Sequence, residues 1–159
     1  MNSTIQDKII TVDQLPGIFS PALRSTHKIA FTNGCFDIIH RGHIHYLSKA
    51  REKADMLVVG LNTDASVKRL KGADRPFKDE RTRAEVLASM QFIDYVILFG
   101  EDTPIKLINL VRPDILIKGG DYEIKDIVGS KEVISYGGRV ETIPFLEGYS
   151  SSDLIKKIR

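Results

Sequence analysis

Five short apolar runs, separated by helix-length segments, constrain this chain more than any other feature of its sequence. They are Lys28–Phe31, Met56–Leu61, Tyr95–Phe99, Ile115–Lys118 and Arg139–Ile143. Several are rich in β-branched residues and apolar on both faces, the signature of strands buried on both sides. Helix patterns fall between them at His43–Ala54, Glu80–Met90, Thr103–Val111 and Ser130–Tyr136, and a last one runs from near Ser152 to the end. This alternation predicts an α/β fold, a parallel sheet with helices on both faces. Residues 1–27 are expected to be an N-terminal extension packed on a domain spanning 28–159, with a short helix around Val12–Phe19. At 159 residues, without repeats or linkers, the chain is expected to form one domain, burying roughly 70% of its unfolded surface.

The composition removes several function classes. A net charge of +2 with 28% charged residues creates no global field for nucleic acid, and the basic excess is local, in Lys68, Arg69, Lys71 and Arg75. The single cysteine, Cys35, rules out an internal disulfide and fits a reducing compartment. Met1 to Phe19 carries Asp7, Lys8 and Asp13 and reads as no signal peptide, and no run approaches the ~20 apolar residues of a membrane span. The expectation is a soluble, cytoplasmic protein without a nucleic-acid or membrane partner.

Parallel sheets of this kind bind ligands beyond the carboxyl ends of their strands. After the first expected strand comes Thr32-Asn33-Gly34-Cys35-Phe36-Asp37-Ile38-Ile39-His40-Arg41-Gly42-His43, with two histidines either side of one glycine where a helix begins. A helix start offers free N–H groups and a positive dipole end, and imidazoles add donors without a fixed charge. The feature points to phosphate chemistry. His43 shares a helix face with Leu47, Ala50 and Ala54 and should sit at the crevice end of that buried face, either as a cap or as a ligand. Arg83 precedes Val86, Leu87 and Met90 in the same way, placed for a phosphate oxygen or for a surface salt bridge. His40, His43 and His45 lack the spacing of a zinc helix, and no metal site is expected.

The remaining candidates follow the later strands. Lys68 to Gly72 read as a basic loop facing the crevice, with Lys71 the residue most aimed at it. Asp64 can accept from sugar hydroxyls or cap a turn. Ser150, Ser151 and Ser152 exceed what one helix cap needs, so they offer a second anion cradle.

Gly34-Cys35-Phe36-Asp37 with His40-Arg41-Gly42-His43 resembles the H-x-G-H signature of the cytidylyltransferase-like nucleotidyltransferases, and Ser150 to Ser152 sit where that superfamily starts a helix with I-S-S/T-T. Asn62 to Gly72, Arg75-Pro76, Glu101 to Pro104, Lys118 to Tyr122 and Gly129 to Val133 further resemble the adenylyltransferase half of bifunctional heptose kinase/adenylyltransferases. The likeness covers residues 28–158 and includes no kinase half, which suggests a stand-alone adenylyltransferase. It implies a Rossmann-like, five-stranded sheet of order 3-2-1-4-5. The implied reaction joins ATP and D-glycero-β-D-manno-heptose 1-phosphate into ADP-heptose and pyrophosphate, for lipopolysaccharide or other surface glycans, with Mg²⁺ accompanying ATP. It also implies a homodimer. By the same resemblance His40 and His43 contact ATP phosphates, and Thr32, Asn33, Gly34 and Phe36 line the nucleotide side. Lys71 and Arg83 hold phosphates, Gly119, Gly120 and Asp121 approach ribose and base, and Ser150 to Ser152 bind the β/γ-phosphates. Asp64 and Arg75 are assigned to the sugar phosphate.

Two departures bear on the alternative, a cytidylyltransferase acting on glycerol 3-phosphate or another polyol phosphate. Leu146 stands near the arginine of its R-T-E-G-x-S run, and Asp153 stands where lysine is common. A nucleotide sensor without catalysis is a further alternative, opposed by the retained histidines and Lys71. The absence of K-M-S-K-S opposes an aminoacyl-tRNA synthetase, and the absence of G-x-G-x-x-G after the first strand opposes a dinucleotide oxidoreductase.

Overall fold

The structure, a computed structural model, describes residues 4–159; the first three residues of the expected 1–27 extension lie outside the described residues. Six strands, β1 (Ile9–Ile10), β2 (Ile29–Gly34), β3 (Met56–Asn62), β4 (Tyr95–Phe99), β5 (Ile115–Gly119) and β6 (Arg139–Ile143), form one parallel sheet in the order β1-β4-β3-β2-β5-β6. The five-stranded sheet of order 3-2-1-4-5 is therefore corrected to six strands in the order 1-4-3-2-5-6. The added strand is β1, whose Ile9 and Ile10 pair with Val96 and Ile97 at the outer edge of β4. Two residues are too few to show a strand period in sequence.

Among the described residues there are eight α-helices: α1 (Leu15–Ile18), α2 (Pro21–Thr26), α3 (Arg41–Arg51), α4 (Asp64–Lys71), α5 (Glu80–Ala88), α6 (Ile105–Val111), α7 (Ser130–Ser135) and α8 (Ser151–Ile158). Alternate strand residues enter two cores. Ala30, Leu57, Val59 and Ile117 pack with Leu47 and Ala50 of α3 and Leu87 of α5 on one face. Phe31, Val58, Ile97 and Leu116 pack with Leu107 and Ile108 of α6 and Val133 of α7 on the other. This two-sided burial is why β2, β3 and β4 have no continuous polar face, whereas the edge strand β6 exposes Arg139 and leaves Glu141 partly exposed.

Three aspartates fix how the strands meet. Asp55, Asp94 and Asp114 each stand just before a strand, and each carboxylate accepts an N–H at or beside the start of a neighbouring strand, at Lys28 (2.7 Å), Leu57 (2.7 Å) and Ile29 (2.8 Å). They tie down the end of the sheet opposite the crevice and leave the carboxyl ends free for chemistry.

The basic segment after β3 is corrected from a loop to a helix. In α4 the Thr63 hydroxyl caps the Ser66 N–H, and Gly72, at φ 105°, ends it. Lys68, Arg69 and Lys71 lie in the last turn, where cations suit the negative end of the dipole. α3 starts at Arg41, two residues before the expected His43, because His40 is its cap.

Candidate active site

The H-x-G-H segment is a helix cap built from two imidazoles. His40 Nδ1 accepts the Gly42 N–H at 3.0 Å, and His43 Nδ1 accepts the His40 N–H at 3.3 Å. These are the two reciprocal bonds of a capping box, made by rings in place of a hydroxyl and a carboxylate. The middle glycine has a steric reason: a Cβ at residue 42 would lie 2.8 Å from the His40 ring. With both Nδ1 atoms accepting, each neutral ring carries its proton on Nε2. The cap therefore leaves two Nε2–H donors, with ring centroids 3.9 Å apart and the Phe36 ring edge-on to His43.

Electrostatics keep these rings neutral. Burial, then His40 and the Lys71 ammonium, push His43 down to about 4, and burial lowers His40 as well. An unfolded histidine titrates near 6.5. As pH falls from 6.5 towards 4, the unfolded chain binds a proton that the folded site refuses, so stability drops through that window and is insensitive to this group above it. Urea midpoints measured from about pH 7.5 to about pH 4.5 will show the decline, and His43→Ala will make it shallower. An unchanged slope in the variant contradicts the assignment.

Around the cap, three contiguous cavities run along the carboxyl ends of the strands. The first joins the two helix starts: His40, Gly42 and His43 of the α3 cap face Ser150 and Ser151 at the start of α8. The Ser150 hydroxyl caps the Asp153 N–H at 3.3 Å, and Ser151 donates to the Ile38 carbonyl at 3.2 Å, which ties α8 to the loop after β2. The central cavity, of about 200 Å³, is bounded by Asn33, Gly34, His43, Lys71, Lys118 and Phe145. The third, of about 400 Å³, lies beyond the two lysines towards Asn62 and Thr103. Phe145 is 64% exposed, and its ring lies over Gly119 and Gly120, where added Cβ atoms would meet it at 3.1 and 2.8 Å. It offers a flat apolar face of the kind a base stacks on.

Several sequence-based assignments are corrected. Arg83 is 1% exposed, and its guanidinium donates to the carbonyls of Lys78 (2.9 Å), Cys35 (2.7 Å) and Asn62 (2.8 Å) and to the Asp64 carboxylate (2.7 Å). Its fork is engaged with backbone and Asp64, so it locks the segments under the crevice and lines none of the three cavities. Asp64 is the partner of Arg83 and lines none of the three cavities. Thr32 is fully buried, its hydroxyl paired with the Tyr46 hydroxyl beneath the crevice. Ser152 and Asp121 are exposed outside the cavity walls, and Gly120 supports Phe145 from below. Asn33, Gly34, Phe36, Gly119 and Arg75 do line the central cavity.

Four residues at the crevice escaped the sequence reading. Asp37, 3% exposed, accepts the N–H groups of Phe77 (2.9 Å) and Lys78 (3.0 Å) and the Arg75 guanidinium (2.8 Å). Burial alone would raise its carboxyl, but these donors outweigh it and hold it below the usual range. Asp37 thereby positions Arg75 at the cavity wall. Tyr46 forms part of the floor, and Phe145 and Lys118 form walls. Asp37 left a sequence signal, as a carboxylate inside the glycine-histidine segment, and so did Lys118, at the carboxyl end of an expected strand; Tyr46 and Phe145 left none. Among the described residues no group of three or more His, Cys, Asp or Glu side chains is arranged to hold a metal ion.

The family described as cytidylyltransferase-like matches residues 31–157. The curated protein "Bifunctional protein HldE" of Geobacter metallireducens is 52% identical over 151 residues, 95% of this chain and 31% of its own length. Its namesake in Citrifermentans bemidjiense is 54% identical over the same shares, and that of Campylobacter curvus is 49% identical over 99% of this chain and 32% of its own. The chain thus spans about a third of the length of the curated relatives it matches. Among solved structures, a lipopolysaccharide core biosynthesis protein from Thermoplasma volcanium superposes with a TM-score of 0.61 at 29% identity, covering 78% of this chain and 99% of that one. A pantoate-beta-alanine ligase from Francisella tularensis (TM-score 0.60, 14% identity, 92% of this chain and 75% of that one) shares the fold.

Proposed function

Because this chain belongs to the cytidylyltransferase-like family, we propose that it transfers AMP from ATP to D-glycero-β-D-manno-heptose 1-phosphate, releasing pyrophosphate and ADP-heptose. The observation that carries the chemistry is the imidazole capping box, which presents two neutral Nε2–H donors beside the Lys71 ammonium at a helix start. The sugar is supported by the resemblance of residues 28–158 to heptose-phosphate adenylyltransferases and by the HldE relatives.

The acceptor is already an anion, so no protein nucleophile or base is needed. One of its phosphate oxygens bonds to the α-phosphorus of ATP as the bond to the bridging oxygen breaks, and that electron pair leaves with pyrophosphate. Charge grows on the leaving group and the α-phosphate oxygens. His40, His43 and Lys71 oppose it as preorganised donors, and the N–H groups at the start of α8, with Ser150 and Ser151, cradle the far phosphates. Asn33, Gly34, Phe36 and Gly119 shape the nucleotide side, and Arg75 serves the sugar phosphate. Mg²⁺ bound with ATP would neutralise part of the phosphate charge, and no side chain of this chain is assigned to hold it.

The domain division belongs to the same reading: residues 28–159 carry the activity and 1–27 pack on them. The pairing of β1 with β4 and the bonds of the Lys8 ammonium to the carbonyls of Met90 (3.2 Å) and Ile93 (2.8 Å) support it. A homodimer in the cytoplasm, without nucleic-acid or membrane partners, completes it; among the described residues no helix is long and apolar enough to cross a membrane. Pyrophosphate release from a panel of nucleotides and acceptors tests the function. ATP with heptose 1-phosphate should exceed CTP with glycerol 3-phosphate at least about tenfold in kcat/KM. A preference for CTP and the polyol phosphate would instead make the chain a cytidylyltransferase.

A further inference from the structure

Lys118 lies next to the carboxyl end of β5, at the seam between the central and third cavities, and Lys71 meets it there from the end of α4. Among the described residues neither ammonium has a carboxylate within ion-pair distance. Lys118 has only the Tyr122 ring, 5.8 Å from its Nζ. Burial pulls its pKa down from the usual lysine value. A half-buried cation without a counter-ion is unfavourable in the empty site and becomes favourable once an anion arrives.

The third cavity shows what that anion is attached to. Away from the lysines its polar groups are Asn62, Thr103, Asp126 and Asp102, the last of these paired with Arg69 (2.9 Å), and its apolar walls include Leu70, Phe99, Leu116 and Ile127. An amide, a hydroxyl and the Asp126 carboxylate suit the hydroxyl groups of a sugar, the apolar walls suit the carbon face of its ring, and the Asp126 carboxylate repels a polyphosphate. The fitting ligand is polyhydroxylated, carries one anionic end and reaches that end back to the two lysines. A cavity of about 400 Å³ is in the range for one such small molecule. On the opposite side the α3 and α8 helix starts face the same seam, so two anions would meet between them.

Building on the adenylyltransferase reading, we propose that the third cavity seats the sugar of the acceptor and that Lys118 grips the acceptor's phosphate, while Lys71 is shared with the α-phosphate of ATP. Lys118 is then a binding residue that sets acceptor selection, separate from the histidine donors that act on the nucleotide.

Lys118→Met keeps the side-chain length and removes the charge, and Lys118→Arg keeps a charge. Steady-state kinetics with heptose 1-phosphate and ATP, combined with calorimetry of ATP alone, separate the two ligands. For Lys118→Met the KM for heptose 1-phosphate should rise on the order of tenfold or more, ATP Kd should stay within about twofold, and Lys118→Arg should recover most of the loss. An unchanged acceptor KM, or equal weakening of ATP, overturns the assignment of Lys118 even if the wild type makes ADP-heptose. A wild type that makes none from these substrates overturns the adenylyltransferase reading itself, and the subsite with it.

Discussion

His43→Ala should lower kcat on the order of 10²–10³, the loss typical of one preorganised donor aimed at growing charge. The ring is neutral and its Nδ1 is engaged with the His40 N–H, so what the variant removes is the Nε2–H. Charge on the phosphates is greatest in the transition state, so ATP Kd should weaken far less than kcat. Leu47 and Ala50 still dock α3 on the sheet, so the fold should survive with the modest loss of one cap bond, about 1 kcal/mol. His45→Ala is the matched control. It sits on the same helix but lines none of the three cavities, and it should retain near wild-type turnover. Equal damage from both variants, or full turnover in His43→Ala, contradicts the site.

Arg83→Met should be the most destabilising substitution at the crevice. It leaves the carbonyls of Cys35, Asn62 and Lys78 without their donor and removes the partner of Asp64. Breaking such a buried network typically costs about 3–5 kcal/mol, which in a domain of this size lowers Tm by on the order of 10 °C. Arg83→Lys should not rescue it, because one ammonium cannot span the directions that a guanidinium fork reaches. Urea unfolding checks the loss. A variant as stable as wild type but with weakened ATP binding would return Arg83 to the phosphate role that its sequence position suggested.

The different outcomes for His43 and Arg83 show where sequence is informative. Both lie on the inward face of a helix near its start, as periodicity indicates. For His43 the neighbours that define its role, His40 and Gly42, are local and visible in sequence. For Arg83 they are three carbonyls from separate segments, the end of β3 at Asn62 and the loops at Cys35 and Lys78, which no local pattern displays. The five longer strands were legible because their residues are apolar on both faces, and β1 was not, because it is two residues long. α4 was hidden by its charge: only Ala65, Val67 and Leu70 are apolar in it, and its signals were the capping Thr63 and the terminating Gly72. Thr32 was misread because the alternation of β2 buries its side chain under the crevice, against Tyr46. Lys118 was passed over as the end of a strand, although that end is where this architecture places its ligands.

The central claim is a single displacement at the α-phosphorus of ATP, driven by positioned donors without a protein nucleophile. One stereoisomer of ATP carrying sulfur on its α-phosphate, turned over with heptose 1-phosphate, tests it most directly. Phosphorus NMR of the sugar nucleotide product reads the configuration. Inversion at the α-phosphorus is the predicted result; retention would require two successive displacements through an adenylylated side chain and would contradict the account.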